Sequence, residues 1–111
     1  MPHQKFNACI EACNAYYVAC NHCADSCLQE RYAKMMAKCI ALDMDSAAIC
    51  ATAVGAMARG SAHAKAISGV GAEICQACGD ECEKHAMEHC KKCAEACYQC
   101  AQECQKMAAM A

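Results

Sequence analysis

The chain of 111 residues has no Trp, one Phe and one Pro, and its Leu, Ile, Val and Phe together number only eleven. Chains in which such core formers fall below about 20% normally cannot fold by apolar burial alone, so a conventional oily core is excluded. No apolar run nears the roughly 18 residues that would span a bilayer. The first residues, Met1-Pro2-His3-Gln4-Lys5-Phe6-Asn7, contain no signal-peptide core. From these absences the cytoplasm is the expected compartment, with no membrane partner. The net charge is −2, from ten basic and twelve acidic residues, which argues against a nucleic-acid footprint. Strand signals are missing, and Gly is limited to five positions.

What the chain has instead is cysteine: 15 residues, accompanied by 26 Ala and 8 Met. Ala, Glu, Lys, Gln and Met favour helix, and Cys sets the register, since residues alternating three and four apart form one helical stripe. Cys90, Cys93, Cys97, Cys100 and Cys104 run in that rhythm, as do Cys75, Cys78 and Cys82, whose backward continuation lands on Gly71 and Ser68. Cys9, Cys13, Cys20, Cys23 and Cys27 follow it if Tyr16 fills one step, and Cys39 and Cys50 share a stripe through Ser46 that continues to Ala53 and Met57. The pattern C-x2-C-x3-C occurs at 20–27, 75–82 and 97–104. Phase breaks place turns around residues 29–34, at Gly60-Ser61, where Gly is a natural helix end, and near Lys84 to Met87. Four helices of roughly 4–29, 33–59, 62–84 and 87–108 are expected, forming one all-α domain over 1–111, an antiparallel up-down-up-down four-helix bundle with a Cys-lined core.

In a reducing compartment, dense Cys reads as metal-binding or catalytic before it reads as a disulfide scaffold. Cys13 and Cys23, and Cys90 and Cys100, do have the nine-residue separation of stapled helical hairpins, but such staples leave eleven cysteines unexplained. A single buried Cys serves as a small hydrophobe; for fifteen on four seams Ala or Val would pack as well without the oxidation risk. The interior therefore reads as a tube of soft ligands. Four thiolates around zinc leave a net charge of −2 per site, whereas Cu(I) bridged by one thiolate per ion is neutral, which a low-dielectric core tolerates. Copper capacity is then on the order of one ion per thiol. A zinc or cadmium buffer remains an alternative, since thiolate does not exclude those ions. An iron–sulfur carrier is a weaker one, because the C-x2-C-x2-C-x3-C-P run is absent. A thiol–disulfide enzyme needs one low-pKa thiol beside a resolving partner, and no C-x2-C stands apart from the rest, so no enzymatic activity is expected.

Nearly the whole chain resembles the cytosolic copper storage proteins, Cys-lined four-helix bundles once labelled ferredoxin-like. The likeness is carried by Cys9-Ile10-Glu11-Ala12-Cys13-Asn14, by Cys20-Asn21-His22-Cys23 and by the stretch from Met35 through Cys39 to Asp43. It continues in Glu73-Ile74-Cys75-Gln76-Ala77-Cys78 and through Glu83-Lys84-His85 to His89-Cys90. It implies that the fifteen Cys bind many Cu(I) ions as thiolates, that the protein is a homotetramer serving copper homeostasis, and that loading occurs at one end, rich in His and Met. Here that is the end with the first and third turns, holding Met35, Met36, His85, Met87 and His89, neutral ligands suited to transient capture of Cu(I). His3, His22 and His63 are expected on the surface. A second stripe on the second helix, Ile40, Met44, Ala47, Ala51, Val54 and Ala58, is suited to packing within the bundle or between subunits.

The family pattern has Cys where this chain has Tyr16, Ser46, Ser68 and Gly71, the gaps that the spacing also exposes. Counted from the loading end, Tyr16, Ser46 and Gly71 each lie about 13 residues down, one cross-section roughly 20 Å into the bundle. Tyr16 is expected to plug the tube there, with Ser46, Ser68 and Gly71 making room and its hydroxyl pairing with Ser46 or Ser68. The plug would set a basal group of Cys9, Cys13 and Cys50, with Cys104 beside them, apart from the larger set above.

Overall fold

The computed structural model describes residues 5–110. It contains helices α1 (Asn7–Leu28), α2 (Ala37–Arg59), α3 (Ala64–Glu83) and α4 (Glu88–Ala108), with a short 3-10 turn, Ala33–Met36, leading into α2. These boundaries follow the Cys phase breaks to within a few residues; the extra 3-10 turn accounts for most of the difference at the start of the second helix. The body is elongated, 47 × 18 × 18 Å. Each helix turns one stripe inward, as on α1, where Cys9, Cys13, Tyr16, Cys20, Cys23 and Cys27 are all buried.

Contacts between helices run round a square: α1 lies beside α2 and α4, and α3 beside α2 and α4. Their sense follows from the register of the inner side chains. Cys9 meets Cys104 near one end and Cys27 meets Cys90 near the other, so α1 and α4 are antiparallel. Cys39 meets Cys82, and Asp43 meets Cys78, so α2 and α3 are antiparallel too. Across the square, Asp43 with Cys93 and Cys50 with Cys100 make α2 and α4 parallel.

Alanine flanks the sulfur seam and keeps the helices close: Ala47, Ala72, Ala94 and Ala101 are buried. The α3–α4 approach is tighter still at Gly79, where a Cβ would fall 2.8 Å from Tyr98 Cε1 and 3.0 Å from Cys97 Cβ. Tyr98 clamps that crossing by donating its hydroxyl to Asp80 at 2.8 Å and Glu83 at 3.0 Å. At the second turn Gly60 has φ 64°. The Ser61 N–H bonds the Ala56 carbonyl at 2.9 Å and the Gly60 N–H bonds that of Met57 at 3.1 Å, the Schellman pattern that only a residue tolerant of left-handed backbone closes cheaply.

The expectation that no segment suits a membrane needs correction. Ala33–Arg59 is long and apolar enough to cross one by length and composition, with a mean hydropathy of 1.4 over its best window. Its score comes from Ala, Met, Ile and Cys, and in the fold it is the 3-10 turn and α2, with Asp43 and Ser46 buried on its inner face.

Candidate metal site

All fifteen cysteines are buried free thiols. The hairpin staples do not form: a staple would join Cys13 to Cys100 across α1 and α4, and these two sulfurs lie 3.6 Å apart as free thiols. The sulfurs instead contact across helices at 3.5 to 4.0 Å, from Cys39–Cys82 at 3.5 Å to Cys20–Cys93 at 4.0 Å. Cys20, Cys78, Cys93 and Cys97 have sulfurs within 4.8 Å of one another, and so do Cys23, Cys27, Cys39 and Cys90. With metal–sulfur bonds of roughly 2.3 Å, soft ions could bridge such sulfurs with little rearrangement. Burial pushes the Cys27 thiol up, and Cys90 up to about 11. These thiols keep their protons at neutral pH, so a metal binding there would have to displace them.

At the end holding the first and third turns, His89 is the histidine that meets the array. Its Nδ1 lies 3.6 Å from the Cys90 sulfur, 3.7 Å from Cys23 and 3.9 Å from Cys27, while Nε2 lies 2.9 Å from Glu30 Oε1. Nε2–H donating to that carboxylate leaves the Nδ1 lone pair aimed at the sulfurs, the arrangement that orients a metal-binding imidazole. Burial opposes protonation of His89, but its bonds to Cys23 and Glu30 outweigh this and raise its pKa. His85 is directed elsewhere, to Glu81 Oε2 at 3.1 Å. Met35, Met36, His85 and Met87 line a neighbouring cavity of 470 Å³; Met35 is 76% exposed whereas Met36 is buried. His22 and His63 are exposed, and His3 lies outside the described residues.

Asp43 is an inner residue that the Cys pattern passed over. It is wholly buried, and its Oδ1 accepts from Cys78 at 3.2 Å and Cys93 at 3.4 Å, with Cys82 at 3.8 Å. Burial, reinforced by negative charge at Cys78 and Cys23, pushes its carboxyl up to about 10. The signal was present in the spacing, because Asp43 falls four after Cys39 and three before Ser46 on the same stripe.

Tyr16 is fully buried, as are Ser46, Ser68 and Gly71. The thiols whose charge bears most on the Tyr16 phenol are Cys20, Cys97 and Cys78 on the side of His89 and Cys75 on the other. Two parts of the expected plug are corrected. The hydroxyls of Tyr16, Ser46 and Ser68 have no hydrogen-bond partner, so no Tyr–Ser pair forms. Gly71 does not face Tyr16 either: a Cβ there would meet Cys104 Sγ at 3.8 Å and Ile49 at 3.9 Å, nearer the base. Ser68 lies a further turn toward that base. Counting down from helix ends misplaced Gly71 because the helices are staggered. Tyr16 lies on α1 between Cys13, which meets Cys100, and Cys20, which meets Cys93. Its level on α4 is therefore near Cys97, and the α3 residue beside Cys97 is Gly79.

On the basal side of Tyr16, Cys9, Cys13, Cys50, Cys100 and Cys104 form a connected set at 3.6 to 3.8 Å. Cys75 sits beside Cys100, Cys104 and Cys50, making the basal group larger than the spacing suggested. The upper set is Cys20, Cys23, Cys27, Cys39, Cys78, Cys82, Cys90, Cys93 and Cys97, joined by the two clusters with sulfurs within 4.8 Å and by the Cys39–Cys82 and Cys78–Cys82 pairs between them. Among the described residues, no sulfur–sulfur hydrogen bond joins the two sets.

Four helices that turn fifteen free thiols toward one axis, with an imidazole at the mouth, define a class: a bundle that takes soft metal ions into its core. Residues 2–109 match the family described as copper storage protein (Csp), and the chain belongs to that family. It is 49% identical over 106 residues to the cysteine-rich protein YhjQ of Bacillus subtilis strain 168, covering 96% of this chain and 98% of that one. The solved structure of Cu(I)-bound copper storage protein BsCsp3 superposes with a TM-score of 0.92 at 49% identity, covering 96% of this chain and 100% of its own. A cytosolic copper storage protein from Streptomyces lividans, solved during copper loading with five coppers, gives 0.94 at 38% identity, covering 99% and 97%.

Proposed function

We propose that this chain is a cytosolic Cu(I) store that takes up many ions through its fifteen Cys thiolates and performs no chemical step on them. The observation that carries the reading is the lining of fifteen buried free thiols contributed by all four helices, with neighbouring sulfurs within each set approaching to 3.5 to 4.0 Å. Bridging thiolates let Cu(I) fill such a lining with little net charge, and the Cu(I)-bound and cytosolic relatives support the metal and the compartment. His89, with Nδ1 toward Cys23, Cys27 and Cys90, receives ions at the mouth, and Met35, Met36, His85 and Met87 supply further soft or neutral ligands in the adjoining cavity.

The protein is proposed to act as a homotetramer. Exposed Met44 on α2, with Val18 on α1 and Val70 on α3, supplies apolar surface to bury between subunits. The set Cys20, Cys78, Cys93 and Cys97 would also accept tetrahedral zinc, so the metals must compete directly. Reduced protein given equimolar buffered Cu(I) and Zn(II) should emerge from gel filtration carrying copper, with light scattering giving a tetrameric mass. Retention of zinc in place of copper would overturn the copper reading.

A further inference from the structure

We propose that Tyr16 walls the thiol seam into two separately filled compartments, nine upper thiols open to the loading end and six basal thiols closed above and below. The inference deepens the copper-storage reading and rests on it. The Tyr16 ring is fully buried at the level where both thiol sets stop, and no sulfur–sulfur hydrogen bond passes it. Hydrogen bonding does not explain its place, since neither its hydroxyl nor that of Ser46 at the same level has a partner. What the ring supplies is bulk across the axis. A neutral phenol is also a poor ligand for Cu(I), which prefers soft sulfur, so it interrupts the thiolate-to-thiolate path along which an ion would advance. At the far end Phe6, Met57 and Met107 close the bundle, exposed by 6%, 0% and 1%.

An ion entering past His89 exchanges for the proton of an upper thiol, and that proton leaves to solvent. It reaches the basal six only when the Tyr16 ring swings aside. The basal six therefore fill last, and they give up copper slowly.

Anaerobic stopped-flow mixing of reduced protein with excess buffered Cu(I), followed by thiolate-to-copper absorption, reads this directly. Two phases are expected with amplitudes near nine to six, and removal of copper by a strong chelator should again show two. Tyr16→Phe keeps the ring and should keep both phases. Tyr16→Cys, which restores a sulfur at that step, should merge them, and so should Tyr16→Ala once circular dichroism shows it folded. A single phase in the unmodified protein, or the same two phases in Tyr16→Cys, would overturn the wall. Full copper uptake in one phase defeats the wall alone, whereas uptake of only a few ions defeats the storage reading itself.

Discussion

Asp43 is wholly buried, with an oxygen 3.2 Å from Cys78 and 3.4 Å from Cys93. Burial and the neighbouring thiols raise its carboxyl from the ordinary 3.8 to about 10. The folded state thus holds a proton that the unfolded chain releases at neutral pH. Stability from this group is fully present below about pH 4 and is lost as pH climbs toward about 10. Metal-free protein should accordingly lose stability between about pH 5 and about pH 9, and Asp43→Asn, which keeps a neutral polar group there, should flatten that decline. Urea melts at several pH values measure it; an unchanged slope in the variant would remove Asp43 from the account. Asp43 was legible in the sequence, sharing a stripe with Cys39 and Ser46, but it breaks the run of sulfur and so hides when the search follows Cys alone. That His89 rather than His85 meets the sulfurs was not legible. Both lie near one turn, and only the folded position of Glu30 and Glu81 assigns their partners.

Among the elements, the four helices could be read from sequence because each carries its own three-and-four rhythm of Cys, and a phase slip in that rhythm marks each turn. Their stagger could not be read. Helix lengths say nothing about axial offset, and α1 runs past the level where α3 ends, which shifts Gly71 and Ser68 toward the base and away from Tyr16. The offset is set by side-chain meshing, as where Gly79 admits Tyr98 and Cys97 against α3. Turn chemistry can be tested separately from metal binding. At Gly60, φ is 64°, a conformation that costs a residue with a Cβ about 1–2 kcal/mol. Gly60→Ala should lower the unfolding free energy by about that amount while leaving copper capacity unchanged, as compared by denaturant melts and metal analysis. A loss of capacity would mean that this turn helps position the sulfurs.

As a whole, the molecule replaces branched hydrophobes with thiols along its axis, so what binds in the core also bears on how firmly it holds together. Ligands that bind only the folded state stabilise it by mass action, and each Cu(I) bridging two helices would add cohesion that the eleven Leu, Ile, Val and Phe side chains supply only sparingly. The one-axis arrangement follows from sequence because small Ala flanks every seam, and the break in the Cys rhythm at Tyr16 is legible there too; which thiols stand on either side of it needed the helices placed side by side. The most direct measurement is anaerobic titration of the reduced protein with Cu(I) against a strong chromophoric chelator. Uptake should continue ahead of the chelator to on the order of one ion per thiol. Saturation after a few equivalents would instead indicate a small cluster or structural site, and would contradict storage.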